Sequence, residues 1–255
     1  MSHSRALADR VALVTGVSRP IGIGASIALR LHEMGATVFA TGWPPHDSEM
    51  PWGSTKTEMP FAIREHNLED AQTATTLVDE VVGDLGSIDL VVAVHARSST
   101  QSLAELTVAE MQRSWSCNVQ SILLLAQRFA ASHKPAALER PPVGRMLWFT
   151  SGQHLEPMDS ELGYAATKGA LHQMTASLDR ALSEKRIVAN CINPGPVDTG
   201  WADPTTHEHI ASLFPDRRWG TPANVADLVA FLVSDEGSWI RGQILNSEGG
   251  FSRFG

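Results

Sequence analysis

Five nearly all-apolar residues, Val11-Ala-Leu-Val-Thr15, run directly into Gly16-Val-Ser-Arg-Pro-Ile-Gly22-Ile-Gly24. An apolar run this short reads as a strand buried on both faces of a parallel sheet. Beyond the glycines, Ala25, Ile27, Ala28 and Leu31 fall at helical spacing. A strand, a glycine turn and a helix start make a cradle for phosphate. The glycines let the backbone approach the anion, and the helix N-terminus offers free N–H groups and a positive dipole. Glycine spacing alone carries little information, but here the required context stands on both sides of it.

The same alternation continues along the chain. Strands are predicted over 36–41, within 61–68, and over 88–94, 145–150, 187–192 and 242–246. Helices are predicted over 70–85, 103–132, 162–185 and 222–234. Such a pattern gives an α/β fold, a doubly wound parallel sheet with helices on both faces and ligand at the carboxyl ends of the strands. At 255 residues the whole chain, 1–255, is expected to form a single domain. The Pro-rich stretch 43–60 reads as an inserted loop near the glycine turn, and 133–144 as a loop around Pro135, Pro141 and Pro142. A net charge of -8 with no basic stripe argues against nucleic-acid binding. No apolar run reaches membrane-spanning length, and the polar Met1-Ser-His-Ser-Arg5 is unlike a signal peptide. Cys117 and Cys191 read as buried reduced thiols, which with these features points to the cytoplasm. No metal ligand set is assigned.

Chemistry concentrates in Tyr164-Ala-Ala-Thr-Lys168, with Ser151 upstream at the end of Met146-Leu-Trp-Phe-Thr150. On a helix Tyr164 and Lys168 are i and i+4 and share a face. A fixed ammonium favours the phenolate and should lower the tyrosine pKa toward the range of general acid–base work. Tyr and Lys at this spacing also occur as an ordinary surface pair. Tyr164, however, is the only tyrosine in the chain.

The glycine turn, Ser151 and Tyr164-x-x-x-Lys168 together resemble the short-chain dehydrogenase/reductase family, over roughly residues 8–250, with 3-oxoacyl-carrier-protein reductases the nearest substrate hint. The resemblance implies a Rossmann fold, a nicotinamide cofactor and reversible interconversion of a carbonyl and a secondary alcohol. Its implied catalytic residues are Asn118, Ser151, Tyr164 and Lys168. Ser151 would orient the substrate oxygen, Tyr164 would exchange a proton with it, and Lys168 would lower the Tyr164 pKa and hold ribose hydroxyls. The Asn118 main-chain carbonyl would hold a water of the proton relay. The implied cofactor-binding residues are Gly16, Ser18, Arg19, Gly22, Ile23, Gly24, Thr41, Asn67, Leu68, Ala96, Tyr164, Lys168, Pro194, Gly195, Val197 and Thr199. The last four belong to Asn193-Pro-Gly-Pro-Val-Asp-Thr199, which resembles the turn that holds the nicotinamide carboxamide.

Several positions depart from the family pattern. Pro20-Ile21 lengthens the glycine turn by two residues, as enoyl-carrier-protein reductases also do. Thr41-Gly42-Trp43 lacks the carboxylate of NAD-preferring members, whereas Arg19 stands where NADP-preferring members meet the 2′-phosphate, so NADP is expected ahead of NAD. Asn67 replaces an Asp at the adenine. Val94-His95-Ala96-Arg97 replaces Asn-Asn-Ala-Gly; His95 and Arg97 are either structural replacements, the favoured reading, or a bias toward an anionic substrate. Residues 199–220 would form the substrate lid, and the family implies a homotetramer or homodimer. Two rival readings are a halohydrin-dehalogenase-like lyase, whose third catalytic residue is Arg where Lys168 stands, and a non-catalytic nucleotide sensor.

Overall fold

The computed structural model describes residues 6–55, 58–135 and 144–252. The polar start at 1–5 and most of the expected proline loop, Pro141 and Pro142 included, lie outside them. Among the described residues seven parallel strands form one sheet: β1 (Val11–Thr15), β2 (Thr37–Gly42), β3 (Ile63–Glu65), β4 (Leu90–Ala93), β5 (Gly144–Phe149), β6 (Ile187–Asn193) and β7 (Ile244–Asn246). Their order is β3-β2-β1-β4-β5-β6-β7. The chain steps outward to β3, then returns to place β4 against the other side of β1. At that reversal a crevice opens beyond the carboxyl ends of β1 and β4.

The strands are apolar on both faces because helices cover both. On one side α1 (Ile23–Glu33) and α8 (Pro222–Val233) pack Ile27, Leu31, Val225 and Val229 against Val14, Val92 and Leu147. On the other, α3 (Ala71–Leu85), α5 (Ser121–Ser132) and α6 (Leu162–Leu182) pack Leu77, Leu125, Phe129 and Leu171 against Leu13, Val91 and Trp148. Buried Arg145 interrupts this apolar pattern. Its guanidinium donates to the carbonyls of Gly144, Leu232 and Ser234, and burial lowers its pKa to about 10.

Three elements differ from the expectation. The long helix starts at Val108, not 103, because the Thr107 hydroxyl accepts from Glu110 N and caps it there. It then divides into α4 (Val108–Trp115), a π turn over Ser116–Gln120, and α5. The inserted loop contains a short helix, α2 (Pro44–Ser48), whose prolines stand at its first positions. The segment expected to form the lid contains α7 (Pro204–Ser212), capped by Asp203.

Strand β1 can hand over to α1 because no side chain separates them. A Cβ on Gly24 would fall against the Gly16 carbonyl, 2.8 Å from its carbon. One on Gly16, itself at φ +74°, would lie 2.7 Å from His95 N. Gly24→Ala is therefore expected to destabilise the fold by about 1–3 kcal/mol through overpacking, or roughly 2–4 °C of melting temperature per kcal/mol in a chain of this size. A thermal melt unchanged from the wild type would show that the turn relaxes freely.

Candidate active site

A groove of about 250 Å³ lies over the switch point. Gly16, Ser18, Arg19, Gly22, Ile23 and Gly24 line it, as do Thr41, Asn67, Leu68, Ala96 and Thr199. Eleven of the cofactor residues named from the sequence thus share one cavity. The N-terminus of α1 opens into it with Gly22 at the cap, no side-chain hydrogen bond there and no acidic residue in the first turn. Its first N–H groups are left for an anion, which is the chemistry a dinucleotide's pyrophosphate requires. Pro194 and Val197 line a separate cavity of about 240 Å³. Gly195 adopts φ +64° against Glu248.

Arg19 reaches across the groove. Its Nη2 donates to the Thr199 carbonyl at 2.6 Å, and its guanidinium carbon stands 5.1 Å from the centre of the Trp52 ring. The inserted segment thus forms a wall of the groove through Trp43, His46, Asp47 and Trp52.

Of the four residues expected to do chemistry, Ser151 follows β5, Tyr164 and Lys168 lie on α6, and Asn118 lies in the π turn before α5. Lys168 is buried, and its Nζ donates to the Phe149 carbonyl at 2.9 Å, 5.3 Å from the centre of the Tyr164 ring. The Ser151 side chain hydrogen-bonds the Tyr164 hydroxyl. Gln153 Oε1 accepts from Ser151 N at 3.1 Å and from the Thr150 hydroxyl at 3.2 Å, fixing the loop that presents Ser151. Asn118 lies within the π turn, a helix defect frequent at functional sites. Its side chain brackets Arg97, accepting from Arg97 N at 2.6 Å and donating to Arg97 O at 2.9 Å. It also donates to the Thr167 hydroxyl next to Lys168.

The expectation that Lys168 lowers the Tyr164 pKa is not met in this arrangement. Burial, followed by the charge of Glu161, pushes the phenol up to about 12, against the opposing hydrogen bond from Ser151. Burial brings Lys168 down to about 8. The reason is that desolvation acts on both groups while the ammonium is turned toward the Phe149 carbonyl. Glu161, three residues before Tyr164, was missed in the sequence; burial raises its own pKa.

Both unusual residues after β4 act as structural replacements. His95 Nδ1 meets the Thr15 hydroxyl at 2.6 Å, while Nε2 meets Ser121 Oγ at 2.8 Å and the Cys117 carbonyl at 3.1 Å. The ring bridges β1 to the helix that carries Asn118. A carbonyl partner for Nε2 assigns the proton to that nitrogen. Burial, then the charge of Lys168, lowers the His95 pKa to about 3. Arg97 is 6% exposed and binds both oxygens of Glu110 at 2.7 and 2.9 Å and Glu69 at 3.0 Å. Burial alone would lower its pKa, but Glu110, Glu69 and Glu49 raise it instead. Its charge is balanced by these carboxylates.

Comparison with known proteins agrees with this fold. The profile of the Enoyl-(Acyl carrier protein) reductase family matches residues 16–252. The uncharacterized oxidoreductase YjdA of Bacillus subtilis is 35% identical over 99% of this chain and 100% of its own length. The 3-oxoacyl-[acyl-carrier-protein] reductase MabA of Mycobacterium tuberculosis is 29% identical over 95% of this chain and 92% of its own. The crystal structure of a short chain dehydrogenase from Burkholderia cenocepacia in complex with NADP superposes with a TM-score of 0.80 at 28% identity, covering 96% of this chain and 99% of that one.

A histidine held neutral in the fold but protonated when unfolded ties stability to pH. Between about 3 and 6.5 the unfolded chain binds the extra proton, so stability rises with pH across that window and is lost as pH falls through it. His95→Gln is expected to lower stability at pH 7 and to flatten this acid limb in denaturant titrations. An unchanged acid limb would assign the acid sensitivity to other groups.

Proposed function

The chain belongs to the short-chain dehydrogenase/reductase family and is an oxidoreductase, and we propose that it is an NADPH-dependent reductase of ketones or 3-oxoacyl thioesters. The observation that carries the reading is the cluster of Ser151, just after β5, with Tyr164 and buried Lys168 on α6, in a sheet whose β1 glycine turn forms the groove. The NADP in the Burkholderia relative and the 3-oxoacyl reductase MabA support the choice of cofactor and substrate class.

The glycine turn and the α1 N-terminus would hold the pyrophosphate, Arg19 the 2′-phosphate, and Lys168 the ribose hydroxyls beside the nicotinamide. A bound nicotinamide cofactor supplies the hydride. The protein's residues handle the substrate oxygen. Ser151 donates a hydrogen bond that orients it, and Tyr164, protonated at neutral pH, gives its proton to the oxyanion as negative charge develops. Because Lys168 falls to about 8 and Tyr164 rises to about 12, the ammonium is the stronger acid of the two. Returning a proton to the phenolate is therefore downhill, and the Asn118 turn is the proposed path to solvent. In this reading tyrosine begins reduction protonated and gives its proton to a far more basic alkoxide oxygen.

A homotetramer or homodimer is the proposed assembly. Exposed Val108, Met111 and Trp115 along α4 are the apolar residues such an interface would cover. Among the described residues no helix is long and apolar enough to cross a membrane, and a cytoplasmic location is proposed from the composition.

NADPH consumption across a panel of ketones, 3-oxoacyl thioesters and enoyl thioesters tests the reading. Turnover of the enoyl thioesters alone would move it to reduction of a carbon–carbon double bond. Tyr164→Phe is expected to lower kcat by about 10²–10⁴-fold while leaving NADPH binding intact; retained turnover would refute Tyr164 as the acid. Arg19→Ala should weaken NADPH far more than NADH, and equal losses would remove the 2′-phosphate assignment.

A further inference from the structure

The segment after β2 brings into the groove a carboxylate that the end of β2 itself lacks. Asp47 lies on α2, about twenty residues beyond the glycine turn, the separation at which dinucleotide-binding folds place an acidic residue against ribose hydroxyls. It is 6% exposed and lines the groove with Thr41, Gly42, Trp43 and Arg19. Trp52 Nε1 donates to its Oδ1 at 3.1 Å, fixing the carboxylate from one side. Arg97 holds the helix in place, with Nη1 3.4 Å from His46 Nδ1 and 3.4 Å from Glu49 Oε2, which flank Asp47 in sequence.

A wall of a nucleotide groove that carries both a guanidinium and a buried carboxylate presents two opposed preferences. A carboxylate accepts from the vicinal hydroxyls of an unphosphorylated ribose and repels a 2′-phosphate. A guanidinium attracts the 2′-phosphate. Arg19, held over Trp52, and Asp47, held by Trp52 Nε1, are organised by the same indole. We propose that Asp47 is a specificity-determining residue that opposes Arg19, so that the chain binds both NADH and NADPH and the carboxylate sets the ratio between them. This rests on the nicotinamide-cofactor reading above and deepens it.

The test is equilibrium binding of each dinucleotide to the full chain, read by quenching of tryptophan fluorescence, since Trp43 and Trp52 line the groove. Wild type is expected to bind both NADH and NADPH. Asp47→Asn keeps an oxygen for Trp52 Nε1 and should tighten NADPH and weaken NADH. The ratio of the two dissociation constants is expected to move by about tenfold or more, the scale of one charge-assisted hydrogen bond. Asp47→Ser, which lacks the amide, should move it in the same direction, with thermal melts checking that both variants fold. An unchanged ratio in both folded variants overturns the role of Asp47 and leaves the cofactor reading standing. Wild type that binds neither dinucleotide overturns both.

Discussion

A parallel strand can pass directly into a helix N-terminus only where the two backbones touch. In this chain that contact is Gly24 against the Gly16 carbonyl, and much of the cleft's geometry follows from it. It aims the first N–H groups of α1 at the crevice where the strand order reverses. It also sets Gly16 against His95 N, so the end of β4 is located by the same turn. From His95 the constraint passes through the imidazole to Cys117 and Ser121, and so to the π turn holding Asn118. Asn118 in turn brackets Arg97 and reaches Thr167, beside Lys168. The phosphate cradle and the proposed acid–base pair are thus connected by one continuous run of backbone contacts and hydrogen bonds.

Desolvation governs the proposed chemical end of the cleft. Placing a phenol and an ammonium together under a sheet edge does not by itself acidify the phenol. Each loses water, and the two charged forms are penalised in opposite directions. The result is a phenol pushed up to about 12 and an ammonium brought down to about 8. Simple Coulomb reasoning from i, i+4 spacing captures the proximity and misses the burial, which here is the larger effect.

Much of the fold was legible in the sequence because the central strands are apolar on both faces and the helices carry clear stripes. Boundaries moved where a single side chain decided them, as Thr107 does for α4. Helix α2 was hidden inside a segment whose composition reads as loop, although Trp43-Pro-Pro carried a proline start signal. The candidate catalytic residues and most of the cradle could be named because they lie in contiguous motifs. Asp47, Glu161 and Gln153 could not, since each acquires its role from a neighbour brought in by the fold. His95 and Arg97 were visible as departures, but their partners lie on other elements, and only those partners show that both side chains are committed internally.

Arg97 stands where the family pattern has glycine, and three carboxylates, Glu49, Glu69 and Glu110, converge on it. Returning that position to glycine would leave Glu110 without its guanidinium and Glu49 and Glu69 with Arg113 alone, whereas introducing an arginine into a relative without these carboxylates would bury an uncompensated cation. The arginine and its acidic neighbours therefore act as one electrostatic unit. The excursion after β2 is anchored to that unit through Glu49 and His46. Grafting its nucleotide-facing wall onto another member would require moving Arg97 and all three glutamates as a block.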